Sequence, residues 1–512
     1  IGLSFLHNVF AREHNAFVEA FRTQTALAPD ADSGLRNPAE PSHVIRYGDI
    51  TPHELFEVAR LVVAAEIAKI HTIEWTTQLL YNEPINRAMH ANWSGIFEKQ
   101  ELVADALQEV VRRLGESEDA KKVNILYAAL AAGPGIFGLG NRVYEGVPLV
   151  GLIDPNKEDR WDLRNDDHIN GGVNHFGSPF NFPEEFITVY RLHPLLPDLI
   201  DYREWNREPN VIRQKVPVID TFRGKATGEM REKGLANWAL SMGRQRLGAL
   251  TLQNHPQFLQ NLTMNRLQSP TQQIDVAALD LIRDRERGVP RYNEFRRQYG
   301  LTQLTGFDEF MDTQEKDSKK RSEQVQLVKT LRDVYGQHRC DGSKTITDAR
   351  LNDDGSPIND CLGHPNGSLI DNIEDVDTVV GWLAEFRRPH GFAISETQFV
   401  VFILNASRRL FSDRFFTSSF RPEFYTTLGV DWVMHNGPGP ELTEEGRPNG
   451  HTQPVSPMKR VLLRTMPELA GELQGVVNAF DPWARDHGEY YSLDWKARAG
   501  AEGDEAFANK KE

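Results

Sequence analysis

Cysteine is nearly absent from this chain: Cys340 and Cys361 are the only two in 512 residues. A fold built on disulfides is excluded, although that pair could still close one bridge over the polar stretch between them. Long hydrophobic runs are missing as well. The greasiest stretch, LVVAAEIAKI at 61–70, already carries Glu66 and Lys69, so no segment reads as a membrane span. Positive charge is in deficit, with 58 Lys and Arg against 73 Asp and Glu and a net charge of −15. That balance argues against nucleic acid as a partner and against an electrostatic hold on an anionic membrane. Alternating β patterns are scarce, and no internal repeat appears. The composition that remains, 39% hydrophobic and 26% charged, is that of a globular protein.

Helical signals fill the gap. Residue 1 is Ile, and Leu3, Leu6, Phe10, Phe17 and Phe21 already recur at helical spacing. No capping residue and no charged leader precede them. The sequence is therefore expected to begin inside a helix, with N-terminal residues missing and any targeting signal with them. Thr51-Pro52-His53-Glu54 reads as a capping box that opens a long apolar helix reaching about residue 80. Further helices are expected at 101–131, 183–192, 230–253, 274–286, 322–337, 374–386 and 394–411, with Gly/Pro/Asn/Asp connectors at 151–182, 205–220 and 338–371. An all-α fold with long loops follows, as one large unit, ending in a polar tail that frays.

Several motifs invite chemistry and are weaker than they look. GPGIFG at 133–138 fits a dinucleotide fingerprint, but no strand precedes it, so a turn between helices fits better. Sequons at Asn92, Asn261, Asn366 and Asn405 matter only in a secreted protein, and chance explains them equally well. His71 and Glu74, three apart in an apolar helix, can share a face. They form His-x-x-Glu rather than the Glu-x-x-His of di-iron bundles, and no second copy exists. A core histidine held by a carboxylate is the plain alternative to a substrate-facing role. In PEEFITVYRLHPLLPD, 183–198, Tyr190 and His193 fall on neighbouring parts of one helical face, and Pro194 should end or bend the helix there. A phenol beside an imidazole suits a redox-active tyrosine next to a metal ligand, although spacing alone fits two amphipathic core residues better.

Taken together, LHNVFAREHNAF at 6–17, TVYRLHPLLPD at 188–198 and ALDLIRDRERGVPRYNEFRR at 278–297 resemble motifs of the haem peroxidase–cyclooxygenase superfamily. Within it, AKIHTIEWTTQLL (68–80), RDRERGVPRYNEFRR (283–297) and GFAISETQFVVFILNASRRLFSDRFFTSSF (391–420) resemble the fatty-acid α-dioxygenases. The resemblance spans residues 1 to about 435 in the expected order, with 338–371 as a probable insert relative to plant members and 436–512 as a C-terminal extension on the same domain.

The resemblance implies a haem peroxidase-like helical domain that binds haem b. His193 matches the proximal iron ligand, and Tyr190 matches the tyrosine that becomes a radical. Asp280 sits where peroxidases carry an Asn beside the proximal imidazole; an acid there would make the ligand more basic. His71 and Thr76 match residues lining the fatty-acid site. Arg408 and Arg409 match the segment that clamps the substrate carboxylate, with Arg409 preferred. The implied partners are a long-chain fatty acid, O2 and a peroxide activator, and weak peripheral membrane contact is compatible with such a substrate. The family's distal histidine and calcium loop precede the helix with which this chain opens, so calcium is expected only in a longer protein. The reaction implied is hydrogen abstraction at C2 by the tyrosyl radical, then O2 addition to give a 2-hydroperoxy acid. The alternatives are a peroxidase that oxidises small reductants, or a non-catalytic haem- or lipid-binding remnant if the start is genuine.

Overall fold

The computed structural model describes residues 1–37, 39–76, 184–245, 248–263, 273–340, 361, 364–386, 394–413, 415, 419–438, 456–474, 476, 478–480 and 483, with only the backbone of 407, 408 and 410–412. The expected helix at 101–131, the GPGIFG segment, Asn92, the connector at 151–182, most of 338–371 and the C-terminal tail lie outside the described residues.

Helix dominates what is described. The chain opens with α1, Gly2–Leu27, whose buried Phe5, Val9, Phe17 and Phe21 carry its apolar stripe. Next is α2, Pro52–Lys69, and its capping box forms as expected: the Glu54 amide donates to Thr51 Oγ1 at 3.2 Å, and the Thr51 amide donates to Glu54 Oε2 at 2.8 Å. The α-helix gives way at Ile70 to a π-helical turn, Ile70–Thr76.

The short helix α3, Glu184–Val189, follows, then the hairpin of β1, Leu199–Tyr202, and β2, Gln214–Pro217. The single helix expected over 230–253 is two, α4 (Gly224–Lys233) and α5 (Leu235–Gly243). Gly234 parts them at φ +84, a conformation a helix cannot contain. A minimal ladder, β3 (Leu262–Thr263) with β4 (Gln273–Ile274), leads to α6, Val276–Glu286, capped by Asp275. The helices α7 (Tyr292–Gln298), α8 (Ser318–Tyr335), α9 (Thr378–Ala384), α10 (Glu396–Ser412), α11 (Pro422–His435) and α12 (Pro457–Thr465) follow, and single α-helical turns at Gln257–Gln260 and Ala470–Leu473 complete the described set. Between α8 and α9, β5 (Gln337–Arg339) pairs with β6 (Leu369–Asp371), and Cys340 and Cys361 are joined in a disulfide beside that hairpin. No helix among the described residues is long and apolar enough to cross a membrane.

Three apolar clusters organise these elements. One joins α1, α2 and α11 through Phe17, Phe21, Val62 and Trp432. Another joins α1, α5 and α12 through Val9, Trp238, Leu240 and Leu462. The third gathers α3, α7, α9 and α10 around Tyr292, Phe295, Trp382 and Phe402. Gly381 lets α9 lie against α7, because a Cβ there would meet the Tyr292 ring at 2.1 Å. The turn at Ile70–Thr76 spans these clusters: Ile70 belongs to the second, Ile73 to the first, and Trp75 packs on the third.

Candidate active site

The segment after α3 leaves helical geometry sooner than its sequence suggests. The helix stops at Val189, the Tyr190 amide closes a tight bond to Ile187 O at 3.1 Å, and His193 opens a separate 3-10 turn with Pro194 inside it. Pro194 bars the α conformation at His193, and the chain absorbs the change over three preceding residues. Tyr190 and His193 therefore project from a turn, not from one helical face as expected.

His193 is placed against α6. Its Nδ1 lies 2.9 Å from Asp280 Oδ2, along a line too bent for a well-aligned hydrogen bond. Asp280 also takes Arg191 Nη1 at 3.1 Å, and Arg191 Nη2 reaches Asp284, one turn further along α6, at 3.2 Å. Burial pushes the Asp284 carboxyl above its ordinary range, with Arg191 opposing. The imidazole is about one-third exposed (32%), and among the described residues its Nε2 has no hydrogen-bond partner. An imidazole backed by a carboxylate on one nitrogen and open on the other is the donor set of an axial metal ligand, so these residues fit a haem iron at Nε2. Arg191 was not foreseen from sequence; its signal is its place between Tyr190 and His193, facing an acid pair four apart on α6.

Tyr190 stands in an aromatic wall. Its ring stacks on Phe186 at 5.2 Å and on Phe402 of α10 at 5.8 Å. Trp75 lies 6.3 Å from Phe402, and His71 lies 4.7 Å from Trp75. Partial burial raises the Tyr190 pKa, which keeps the phenol protonated, and among the described residues its hydroxyl has no hydrogen-bond partner. The wall thus connects Tyr190 to the turn that carries His71 and Thr76. Phe186, Phe402 and Trp75 read in sequence as ordinary core positions.

The π turn explains the pairing of His71 and Thr76. Residues five apart sit well around the cylinder of an α-helix, whereas i→i+5 bonding brings them onto one side. Thr76 Oγ1 is 3.4 Å from His71 Nδ1. His71 remains accessible, and partial desolvation by the surrounding protein pushes its pKa below the ordinary value. The same turn sends Glu74 away. Its carboxylate accepts the Met458 amide at 2.9 Å, the Ala479 amide at 2.8 Å and the Ser456 hydroxyl, so it does not hold His71.

Arg409 lies near the C-terminal end of α10, seven residues past Phe402, hence two turns along the same face and about 10 Å away. Its Nη1 donates to the Asn405 carbonyl at 2.9 Å and to Asn405 Oδ1 at 3.1 Å, and desolvation lowers its pKa. The side chain of Arg408 lies outside the described residues. Asn405 is itself buried in α10, its amide bonded to Val401 O at 2.9 Å, which takes that sequon out of use. Asn261 and Asn366 are exposed.

The helical fold places a carboxylate-flanked histidine three residues after a stacked tyrosine, and comparison with known proteins supplies the class. The chain belongs to the animal haem peroxidase family, whose model matches residues 1–113, 149–340 and 367–437. It is similar to alpha-dioxygenase 2 of Arabidopsis thaliana, at 31% identity over 493 residues that cover 95% of this chain and 56% of that protein. Among solved structures it is similar to the fatty acid alpha-dioxygenase of Oryza sativa, with a TM-score of 0.57 and 28% identity, covering 93% of this chain and 57% of that one. A Tyr-to-Phe variant of the rice enzyme with palmitic acid matches equally, at a TM-score of 0.57, 28% identity and coverages of 93% and 57%. The chain therefore spans little more than half the length of the relatives it matches.

Proposed function

We propose that this chain carries the proximal-ligand and substrate-binding parts of a haem-dependent fatty-acid α-dioxygenase. The observation that carries the reading is Tyr190: a phenol whose hydroxyl has no partner among the described residues, stacked in an aromatic wall, three residues from a histidine backed by Asp280. The likeness to proteins named as α-dioxygenases, one of them with palmitic acid, supports it. Residues 1–435 form the catalytic unit in this reading, 338–371 an insert and 436–512 an extension. The family match skips 341–366 and ends at 437, which supports that division.

Haem b, held by His193, would supply the one-electron oxidation from which the reaction starts, with peroxide as its activator. The residues of the chain do the rest. Arg409 offers a planar fork that stays charged when partly desolvated and can take a carboxylate on two nitrogens. His71, kept neutral by its surroundings and accepting from the Thr76 hydroxyl at Nδ1, would present Nε2–H as a further donor. Fixing the head group fixes C2, and the aromatic wall accepts the alkyl chain. The Tyr190 oxygen, after loss of its proton and one electron, takes a hydrogen atom from C2. O2 adds at that carbon, and a hydrogen atom returned to the peroxyl group gives the 2-hydroperoxy acid.

Oxygen uptake by the haem-loaded protein with palmitic acid tests this directly. Tyr190→Phe should abolish uptake, by at least a hundredfold, while haem stays bound. Undiminished uptake would refute the radical role. Oxidation of a small reductant by peroxide with no consumption of fatty acid would favour the peroxidase alternative. Separately, His193→Ala should lose the haem spectrum and stoichiometry of the wild type; an unchanged spectrum would overturn that ligand.

A further inference from the structure

Far from Tyr190 in the sequence, the hairpin of β5 and β6 holds a second constellation with ligand chemistry. His338 and Cys340 lie two apart where the ladder continues past β5, with the Cys340 amide bonded to Ser368 O at 2.9 Å, so strand alternation sets both side chains on one face. Cys361 returns to the same face through the disulfide, with Cα atoms 5.6 Å apart. The ligand atoms of His338, Cys340 and Cys361 all lie within 4.8 Å of one another; Cys340 is buried and the other two are half-buried.

The histidine is oriented as a ligand would be. Asn372 Nδ2 donates to the Tyr335 carbonyl at 2.8 Å, which leaves Asn372 Oδ1 as the acceptor facing His338 Nδ1. With Asn372 Oδ1 accepting, the tautomer protonated at Nδ1 directs Nε2 toward Cys361 Sγ at 3.6 Å. Metal-bound histidines are held in this way, with one ring nitrogen donating to a carbonyl so that the other can bind. Tetrahedral zinc, with bonds of about 2.3 Å to sulfur and 2.0 Å to nitrogen, sets sulfur and nitrogen about 3.5 Å apart and two sulfurs about 3.8 Å apart. The imidazole–sulfur spacing already matches, and side-chain rotation can open the sulfurs on these backbone positions.

We propose that reduction of the Cys340–Cys361 disulfide unmasks a Cys2His zinc site completed by His338. A dithiol reductant supplies two electrons and two protons to the disulfide, giving two thiols and becoming a disulfide itself. Zinc then binds two thiolates and the imidazole, releasing the two thiol protons, and water fills the fourth position. The oxidised hairpin has no thiolate to offer, so metal binding follows the redox state.

Metal analysis and zinc K-edge absorption on the whole protein, before and after treatment with a phosphine reductant, test the proposal without interference from iron. The reduced protein should take up one equivalent of zinc with two sulfur and at least one imidazole scatterer, and the oxidised protein should take up none at this place. His338→Ala should weaken uptake at least tenfold, and Asn372→Leu should weaken it with both thiols and the imidazole intact. Stoichiometric uptake that is absent after reduction, a shell lacking sulfur, or uptake unchanged in His338→Ala would each overturn it. Should His338→Ala fail to fold, the scatterer count of the wild type decides.

Discussion

The turn at Ile70–Thr76 carries two polar groups with opposite fates. Glu74 points inward, where two backbone amides and the Ser456 hydroxyl hold its carboxylate against residues 456–479. His71 is exposed, with Thr76 at 3.4 Å and a tryptophan ring beside it. The same contrast runs through the molecule. Glu13, fully buried, accepts from Trp432 Nε1 at 2.8 Å and from Arg464 Nε at 2.8 Å, and Arg464 also reaches Glu66 at 3.2 Å. Among the described residues, the Tyr190 hydroxyl and His193 Nε2 instead have no hydrogen-bond partner. Glu13 and Glu74 each hold several partners, because an unpaired buried carboxylate costs too much, although among the described residues Glu66 Oε2 and Trp238 Nε1 are buried without one. Groups that serve chemistry keep room for a ligand.

The saturated side should be the more fragile. Arg464→Met leaves Glu13 and Glu66 buried together without their shared cation, and loss of one partner from a buried ion pair costs about 3–5 kcal/mol. Chemical denaturation should show a loss of that size. A change below about 1 kcal/mol would mean that the two carboxyls simply hold protons and that Arg464 contributes little.

Glu74 sharpens the contrast through pH. Burial raises its carboxyl from 4.5 to about 7, and the hydrogen bonds only partly oppose this. The folded state therefore holds a proton that the unfolded chain releases. The stability this contributes is complete below pH 4.5 and is lost as pH rises through about 7. The total swing is on the order of 3 kcal/mol. Glu74→Gln is neutral throughout and should reduce the fall in melting temperature over that window, leaving the shares due to Glu66, Asp284 and Glu385, whose carboxyl pKa values burial also raises. Identical slopes in the two proteins would place the Glu74 charge elsewhere in the balance.

On the open side, Arg409→Lys keeps the charge and removes the fork. KM for palmitic acid should rise about tenfold, roughly 1.4 kcal/mol, with kcat less affected and stability unchanged. Equal losses in kcat and kcat/KM would instead assign Arg409 to the transition state rather than to holding the head group.

How much of this was legible in the sequence follows the same division. Capping signals read out directly: Thr51 and Glu54 formed their box, and Asp275 caps α6. The Tyr190–His193 spacing singled out this segment, but its geometry did not follow from periodicity, because Pro194 acts on backbone upstream of itself. The helix expected across 230–253 failed at Gly234, a residue whose left-handed φ is one use among several for glycine. The π turn was invisible, since no residue type codes for i→i+5 bonding, and with it went the separation of His71 from Glu74. Helix α11 was missed because its apolar positions serve three-dimensional contacts with α2 more than a clean stripe, whereas α12 is amphipathic but only nine residues long. Thr426, at φ +65 inside α11, breaks that helix's regularity.

The smallest expected effect probes the open side most closely. Thr76 Oγ1 can donate to His71 Nδ1, which fixes the tautomer with its proton on Nε2. Thr76→Val keeps the shape and removes the donor. The bond is long and neutral, so stability should fall by less than about 1 kcal/mol. The tautomer balance of His71 should nonetheless shift, visible in its ring nitrogen chemical shifts, and KM for palmitic acid should rise a few-fold while kcat holds. A stability loss comparable to that of Arg464→Met would show that this pair belongs to the saturated interior after all. An unchanged tautomer with unchanged KM would show that the wider turn, not the hydroxyl, sets the orientation of His71.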